Sequence, residues 1–247
     1  MRQILQFPFF IVILSVLPLI IVERLYPLHH YKLDVAWLFR LGVFSGLGIF
    51  LTLLIGNHVF IHHNLSLFHL LQITFLTQQP LFIQGAVGYF MITFVVYWWH
   101  RLRHHSDLLW KTFHQVHHST YRIQSLTAVY AHPLDFMSTA LIINTVSYLV
   151  LGLDTEAAVL TSIITSFFDF WEHTNIKTPK WLGYFLVRPE MHRIHHEQYK
   201  HNNNYSIPIW DILFGTYENS NRSVECGFDG EKERKVMRLI TFHNVDQ

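Results

Sequence analysis

Three groups of histidines between residues 100 and 196 are the residues of this chain best suited to chemistry. The first is His100 and His104, the second His114, His117 and His118, and the third His192, His195 and His196. On a helix, positions i, i+3 and i+4 share a face, so each group would aim two or three imidazoles the same way. Neutral imidazole is a good ligand for iron, zinc, copper and nickel. Eight such ligands exceed the needs of one ion and suit a pair. Left unpaired in a protein interior, each imidazole nitrogen would cost about 1–3 kcal/mol.

The elements that position these groups are apolar. Of the 247 residues, 51% are hydrophobic and only 14% charged, against about 25% charged in soluble domains. Leu41 to His100 contains no Asp, Glu, Lys or Arg, and neither do Gln3 to Val22 or Phe136 to Leu153. A hydrocarbon core ~30 Å thick is crossed by ~20 helical residues. The sequence therefore predicts an all-α integral membrane protein with four to five membrane helices, near 4–22, 36–56, 80–99, 136–153 and 157–171, under a histidine-rich helical cap. The first stretch reads as a retained helix rather than a cleaved signal, because no small-residue cleavage site precedes Glu23. The third runs on unbroken past His100 to His104. The organisation expected is 1–79 for the first helices and a far-side loop, 80–217 for a catalytic domain, and 218–247 for a polar, solvated tail.

Charge orients this set. Arg101, Arg103, Lys111 and Arg122 follow the third helix, and Lys177, Lys180, Arg188, Arg193 and Lys200 follow the fifth, whereas Asn57 to Gln79 has no Lys or Arg. The positive-inside tendency places the histidine groups on the cytosolic face of a multi-pass protein. His58, His62 and His63 then fall on the opposite face and are expected to pack at the interface, and His29, His30, His69 and His243 are isolated. His105 and His201, next to the groups, are expected to point elsewhere. Tyr97, Trp98 and Trp99 sit where an interfacial aromatic belt forms. A net charge of +1 with no basic face gives no footprint for nucleic acid. The single cysteine, Cys226, excludes cysteine-based zinc and iron–sulfur sites.

An all-nitrogen site suits zinc, copper or iron. The His-Glu-x-x-His pattern of zinc hydrolases is absent, and a lipid chain offers inert C–H bonds whose attack needs dioxygen and a redox-active metal. Iron fits that setting best. A membrane metal transporter or sensor is the rival from another class, but it calls for polar residues at mid-membrane depth, where these spans are nearly free of charge. A haem with two axial histidines would leave six histidines unexplained.

Six motifs carry a resemblance to a known family. They are Trp99-His-Arg-Leu-Arg-His104, Phe113-His-Gln-Val-His-His-Ser119, Ala131-His-Pro-Leu-Asp135, His173-Thr-Asn175, Pro189-Glu-Met-His-Arg-Ile-His-His196 and Trp210-Asp-Ile-Leu-Phe-Gly-Thr-Tyr217. In order and spacing, over residues 90 to 217, the chain resembles the fatty acid hydroxylase superfamily, which includes sterol desaturases and C-4 methyl sterol oxidases. The resemblance implies an oxidoreductase with two iron ions per chain, held by His100, His104, His114, His117, His118, His173, His192, His195 and His196. It implies a lipid substrate, dioxygen, an external electron-donor protein, and either hydroxylation or desaturation. Family hydroxylases carry His-x-x-x-His ending at the position of His173, and here the residue four before is Asp169. Asp169 could ligate through oxygen or cap local structure, but is expected to steady a ligating imidazole from behind. Asp211 has the same expected role, with helix capping as the alternative for it, Asp135 and Glu190. His132 is either a weak ligand or supporting residue, or a structural residue of the turn before Pro133.

Overall fold

A computed structural model describes residues 8–60, 71, 74–229 and 232–246, and the described residues are helical with no β-strand beyond an isolated bridge between Glu197 and Cys226. The long helices are α1 (Pro8–Leu25), α2 (Val35–Phe60) and α3 (Leu81–His105). A stepped segment follows, made of α4 (Asp107–Leu109), a π turn (Trp110–His114) and α5 (Gln115–His118). The chain then forms a helical hairpin. Its first arm is α6 (Pro133–Asn144) continued by a π turn (Thr145–Val150), and its second is α7 (Thr155–Glu172). Shorter helices complete the cap: α8 (Pro189–His195), α9 (Pro208–Phe214) and α10 (Val236–Ile240).

Among the described residues, three helical stretches are long and apolar enough to cross a membrane, Val35–Ile55, Leu81–His105 and Pro133–Val150. They correspond to the second, third and fourth expected spans. α1 and α7 match the other two in position, at 18 residues each. α1 packs along α7, α3 along α7, and α2 along α6. The approach of α3 to α7 depends on missing side chains. A Cβ on Gly85 would lie 2.9 Å from Leu160, and one on Gly88 2.5 Å from the Thr161 hydroxyl. Two glycines one turn apart thus let the helix carrying His100 and His104 lie against the helix leading to His173.

Local sequence fixes the hairpin. His132 Nδ1 accepts from the Leu134 N–H at 3.1 Å, and Pro133 begins α6, where a missing N–H costs nothing. Asp154 caps α7 by accepting from the Ala157 N–H at 2.9 Å.

Two expectations are corrected. Glu218 to Gln247 is not a solvated tail, since Phe228, Leu239 and Val245 are buried with Trp37, Trp110, Val116 and Tyr130 in one core cluster. Burial of side chains this size outweighs the local charge density, at about 1.5–3 kcal/mol each. Tyr97 is no interfacial anchor. It is buried, with its hydroxyl 3.0 Å from that of Thr216, and of its neighbours Trp98 is exposed. Of the three histidines expected to pack at the interface, His58 lies on α2, and His62 and His63 fall outside the described residues.

Candidate metal centre

The cap brings all nine histidines implied by the resemblance into two adjoining groups. One contains His100, His104, His114, His118 and His195, the other His117, His173, His192 and His196, and within each group the available nitrogens lie within 4.8 Å of one another. Only His104 is more than slightly exposed. The consecutive pairs are divided between the groups: His117 and His118 go to different ones, and so do His195 and His196. Where the groups meet, the rings of His118 and His196 stack with centroids 4.1 Å apart. α3 supplies the first pair of ligating side chains. After the π turn, His114 and His118 face α3 while His117 faces the residue after α7, His173.

Five of the rings are held from behind at Nδ1. The carbonyl oxygens of Tyr205, Tyr130, Asp169 and Asn203 lie 2.7, 3.2, 2.7 and 2.7 Å from Nδ1 of His100, His117, His173 and His195. Asp135 lies 2.8 Å from Nδ1 of His114 and pairs through its other oxygen with Arg103. A carbonyl oxygen only accepts, so the four rings facing carbonyls keep their proton on Nδ1 and present Nε2 as a lone pair.

That assignment tests whether metal fits. Nε2 of His173 lies 3.2 Å from Nε2 of His117 and 2.9 Å from Nε2 of His192, which is 3.2 Å from Nε2 of His196. His192 can donate to one neighbour, but His117 and His173 oppose lone pair to lone pair. Nitrogens bound to one ion at about 2.0–2.1 Å, at angles between 90° and tetrahedral, lie about 2.8–3.4 Å apart. In the other group, Nε2 of His100, His114 and His195 and both nitrogens of His104 and His118 are buried without a hydrogen-bond partner. Such nitrogens fit cations, and the donor set fits a first-row transition metal.

Burial also keeps the rings neutral, as ligation requires. It pushes His173 down to about 4 and His195 down to about 3. Burial likewise holds His117, His118, His192 and His196 well below the ordinary histidine range, with the neighbouring imidazoles adding to the effect.

The supporting residues differ from expectation in their means. Asp169 acts mainly through its backbone carbonyl, its carboxylate being 3.4 Å from Nδ1 of His173. Asp211 touches no imidazole. It accepts from the backbone N–H groups of Tyr205 and Ser206 at 2.9 and 3.1 Å, fixing the turn whose Tyr205 carbonyl holds His100. His132 caps α6 and stands outside both groups. Glu190 accepts from Thr178 and pairs with Arg188. His201, expected to point away, stands at the edge of the five-histidine group, with its ring centroid 4.6 Å from that of His118. Glu172, not singled out by the sequence, lies 3.5 Å from Nδ1 of His192; its place just before His173 was the available signal.

These features define a class: an all-helical, membrane-associated protein with two buried histidine groups able to hold metal. Residues 85–216 match the family described as Fatty acid hydroxylase, and the chain belongs to that family. Its relatives include the sphingolipid C4-hydroxylase of Schizosaccharomyces pombe, 30% identical over 55% of this chain and 50% of that protein. The human alkylglycerol monooxygenase is 29% identical over 83% of this chain and 45% of its own length. An ornithine lipid hydroxylase of Rhizobium tropici is 30% identical over 62% and 48%. The chain thus spans about half the length of the curated relatives it matches. No solved structure matches it.

Proposed function

We propose that this chain is a membrane-bound, dioxygen-dependent lipid hydroxylase whose two histidine groups each hold one iron ion. The observation that carries the reading is the opposition of the His117 and His173 lone pairs at 3.2 Å, deep in a cap that contains seven further histidines of the same kind. The relatives named above are lipid hydroxylases and a monooxygenase, which supports the substrate class.

When bound, the iron pair supplies the dioxygen-dependent redox chemistry that an inert C–H bond requires. The protein's own contribution is orientation. The carbonyls of Tyr205, Tyr130, Asp169 and Asn203 hold protons at Nδ1, so four Nε2 lone pairs point inward without rearrangement. Burial excludes water from the groups and keeps the imidazoles neutral. The positively charged loops support a cytosolic cap, where a separate donor protein would supply electrons.

Lipid mass spectrometry tests this on cells making the intact protein or its His117→Ala variant. The expected result is a lipid one oxygen atom heavier, present only with the intact protein. A product lighter by two hydrogens would assign desaturation instead, and identical lipid profiles would overturn the proposal.

A further inference from the structure

We infer that α9, with Trp181 and Tyr184 of the turn beside it, is immersed in the hydrocarbon of the cap-side leaflet, and that the partner of this surface is lipid acyl chain. The inference rests on the fold alone and stands apart from the proposed reaction.

On α3, Ile83, Val87, Phe90, Phe94, Trp98 and Leu102 recur every three or four residues and so form one stripe along the helix. Ile83 and Val87 at its lower end are exposed, as is Leu102 at its upper end. On a helix long and apolar enough to span, that stripe faces lipid. α9 lies on its middle. The Trp210 ring centroid is 4.8 Å from that of Phe90 and 5.0 Å from that of Phe94, and Phe214 is 4.8 Å from Trp98. Trp210 Nε1 donates to the Thr93 hydroxyl at 3.0 Å, and the Ser206 hydroxyl donates to the Thr93 carbonyl at 2.9 Å.

Depth follows from the register. At 1.5 Å per residue, Phe90 to Trp98 lie about 13–25 Å along α3 from Leu81, within a hydrocarbon core of about 30 Å. A helix docked there cannot present a polar face outward, and α9 does not. Ile209, Ile212 and Leu213 are 50%, 54% and 65% exposed on its far side, and they continue the apolar stripe that α9 covers in part, Phe90 and Trp98 staying exposed beside it. Trp181 and Tyr184 of the adjoining turn are exposed as well, and the Gly183 carbonyl accepts from the Tyr217 hydroxyl at 3.0 Å. The chain therefore returns to the bilayer after its last histidine group. Between that group and α9 lie Asn203 and Tyr205, whose carbonyls hold His195 and His100. The immersed helix thus tethers the turn that sets two rings of the five-histidine group.

The test is collision spectroscopy on full-length chain in liposomes, with Cys226→Ser as background and nitroxides placed singly by Ile212→Cys, Leu213→Cys, Val87→Cys and Lys200→Cys. Labels at 212 and 213 are expected to match the label at 87, with high oxygen accessibility and nickel-chelate accessibility several-fold below that at 200. Nickel accessibility equal to that at 200 would place α9 in water and overturn the inference. Protection from both reagents would mean that protein covers this face, a second copy included, and would overturn it equally.

Discussion

Asp135 lies 2.8 Å from Nδ1 of His114 with one carboxylate oxygen and pairs with Arg103 through the other. The carboxylate joins three elements: the end of α3, the π turn and the start of α6. It fixes the direction of one ring of the five-histidine group and balances a guanidinium with no other acidic partner among the described ion pairs.

Asp135→Asn therefore has two separable effects. An amide oxygen cannot serve both Arg103 and His114, so a buried cation loses its counter-charge, at a cost of about 3–5 kcal/mol. Loss of the partner behind His114 weakens metal binding by about 10–100-fold. A chelator competition and a thermal melt in detergent measure the two. Asp169→Asn keeps the backbone carbonyl 2.7 Å from His173 and is expected to leave metal affinity unchanged. Equal losses in the two variants would contradict this division of roles.

The division of His195 and His196 between the groups predicts metal loss one ion at a time. Elemental analysis of the intact protein is expected to give two iron ions per chain. His192→Ala depletes the four-histidine group and leaves one ion. His100→Ala depletes the other group and also leaves one. A single ion in the intact protein, or loss of both in either variant with the fold retained, would count against two separate sites.

Much of the centre was legible in the sequence because ligand type and helical spacing are written there. His100 and His104 occupy one face of a helix with nothing to break it, and the other two groups repeat the spacing of three and four residues. Other features were not legible, for physical reasons. Every residue has a carbonyl, so nothing marked those of Tyr130, Asn203 and Tyr205 as the supports. That His117 parts from His118 follows from the helix, since consecutive residues do not share a face, but which group each joins depends on how the helices pack. The segment after Glu218 looked solvated because Lys232 to Lys235 dominate its composition, although Val236, Leu239 and Ile240 show the i, i+3, i+4 spacing of a buried face. α9 was too short to register as a membrane element, and only its contact with α3 gives its depth.

Acid should destabilise the metal-free chain before it reaches the carboxylate range. An unfolded histidine titrates near 6.5, whereas in the fold burial brings His173 down to about 4 and His195 down to about 3. Between those limits the unfolded chain binds more protons at these two histidines, so their contribution to stability falls as pH falls from about 6.5 toward 4. Protons compete with metal for the same nitrogens, so the metal-loaded protein should lose its ions over the same interval. Thermal melts of chelator-treated protein across this range would show the slope. A melting temperature constant from neutral pH to 4 would contradict it.

The contact between α3 and α7 yields the last prediction. A Cβ on Gly88 would meet the Thr161 hydroxyl at 2.5 Å, and that hydroxyl already donates to the Ala157 carbonyl at 2.8 Å. Thr161 is fully buried, so it has no free space to turn into. Gly88→Ala is expected to cost about 1–3 kcal/mol, the usual range for overpacking, and Gly88→Val to push the helices apart. Because α3 carries His100 and His104 while α7 ends at His173, the larger variant should lose bound iron. Thr161→Ala removes the clashing atoms, so combining it with Gly88→Ala should recover stability that neither change predicts alone. Thermal melts of the four chains of that cycle decide it: strictly additive losses would mean that Gly88 and Thr161 do not meet.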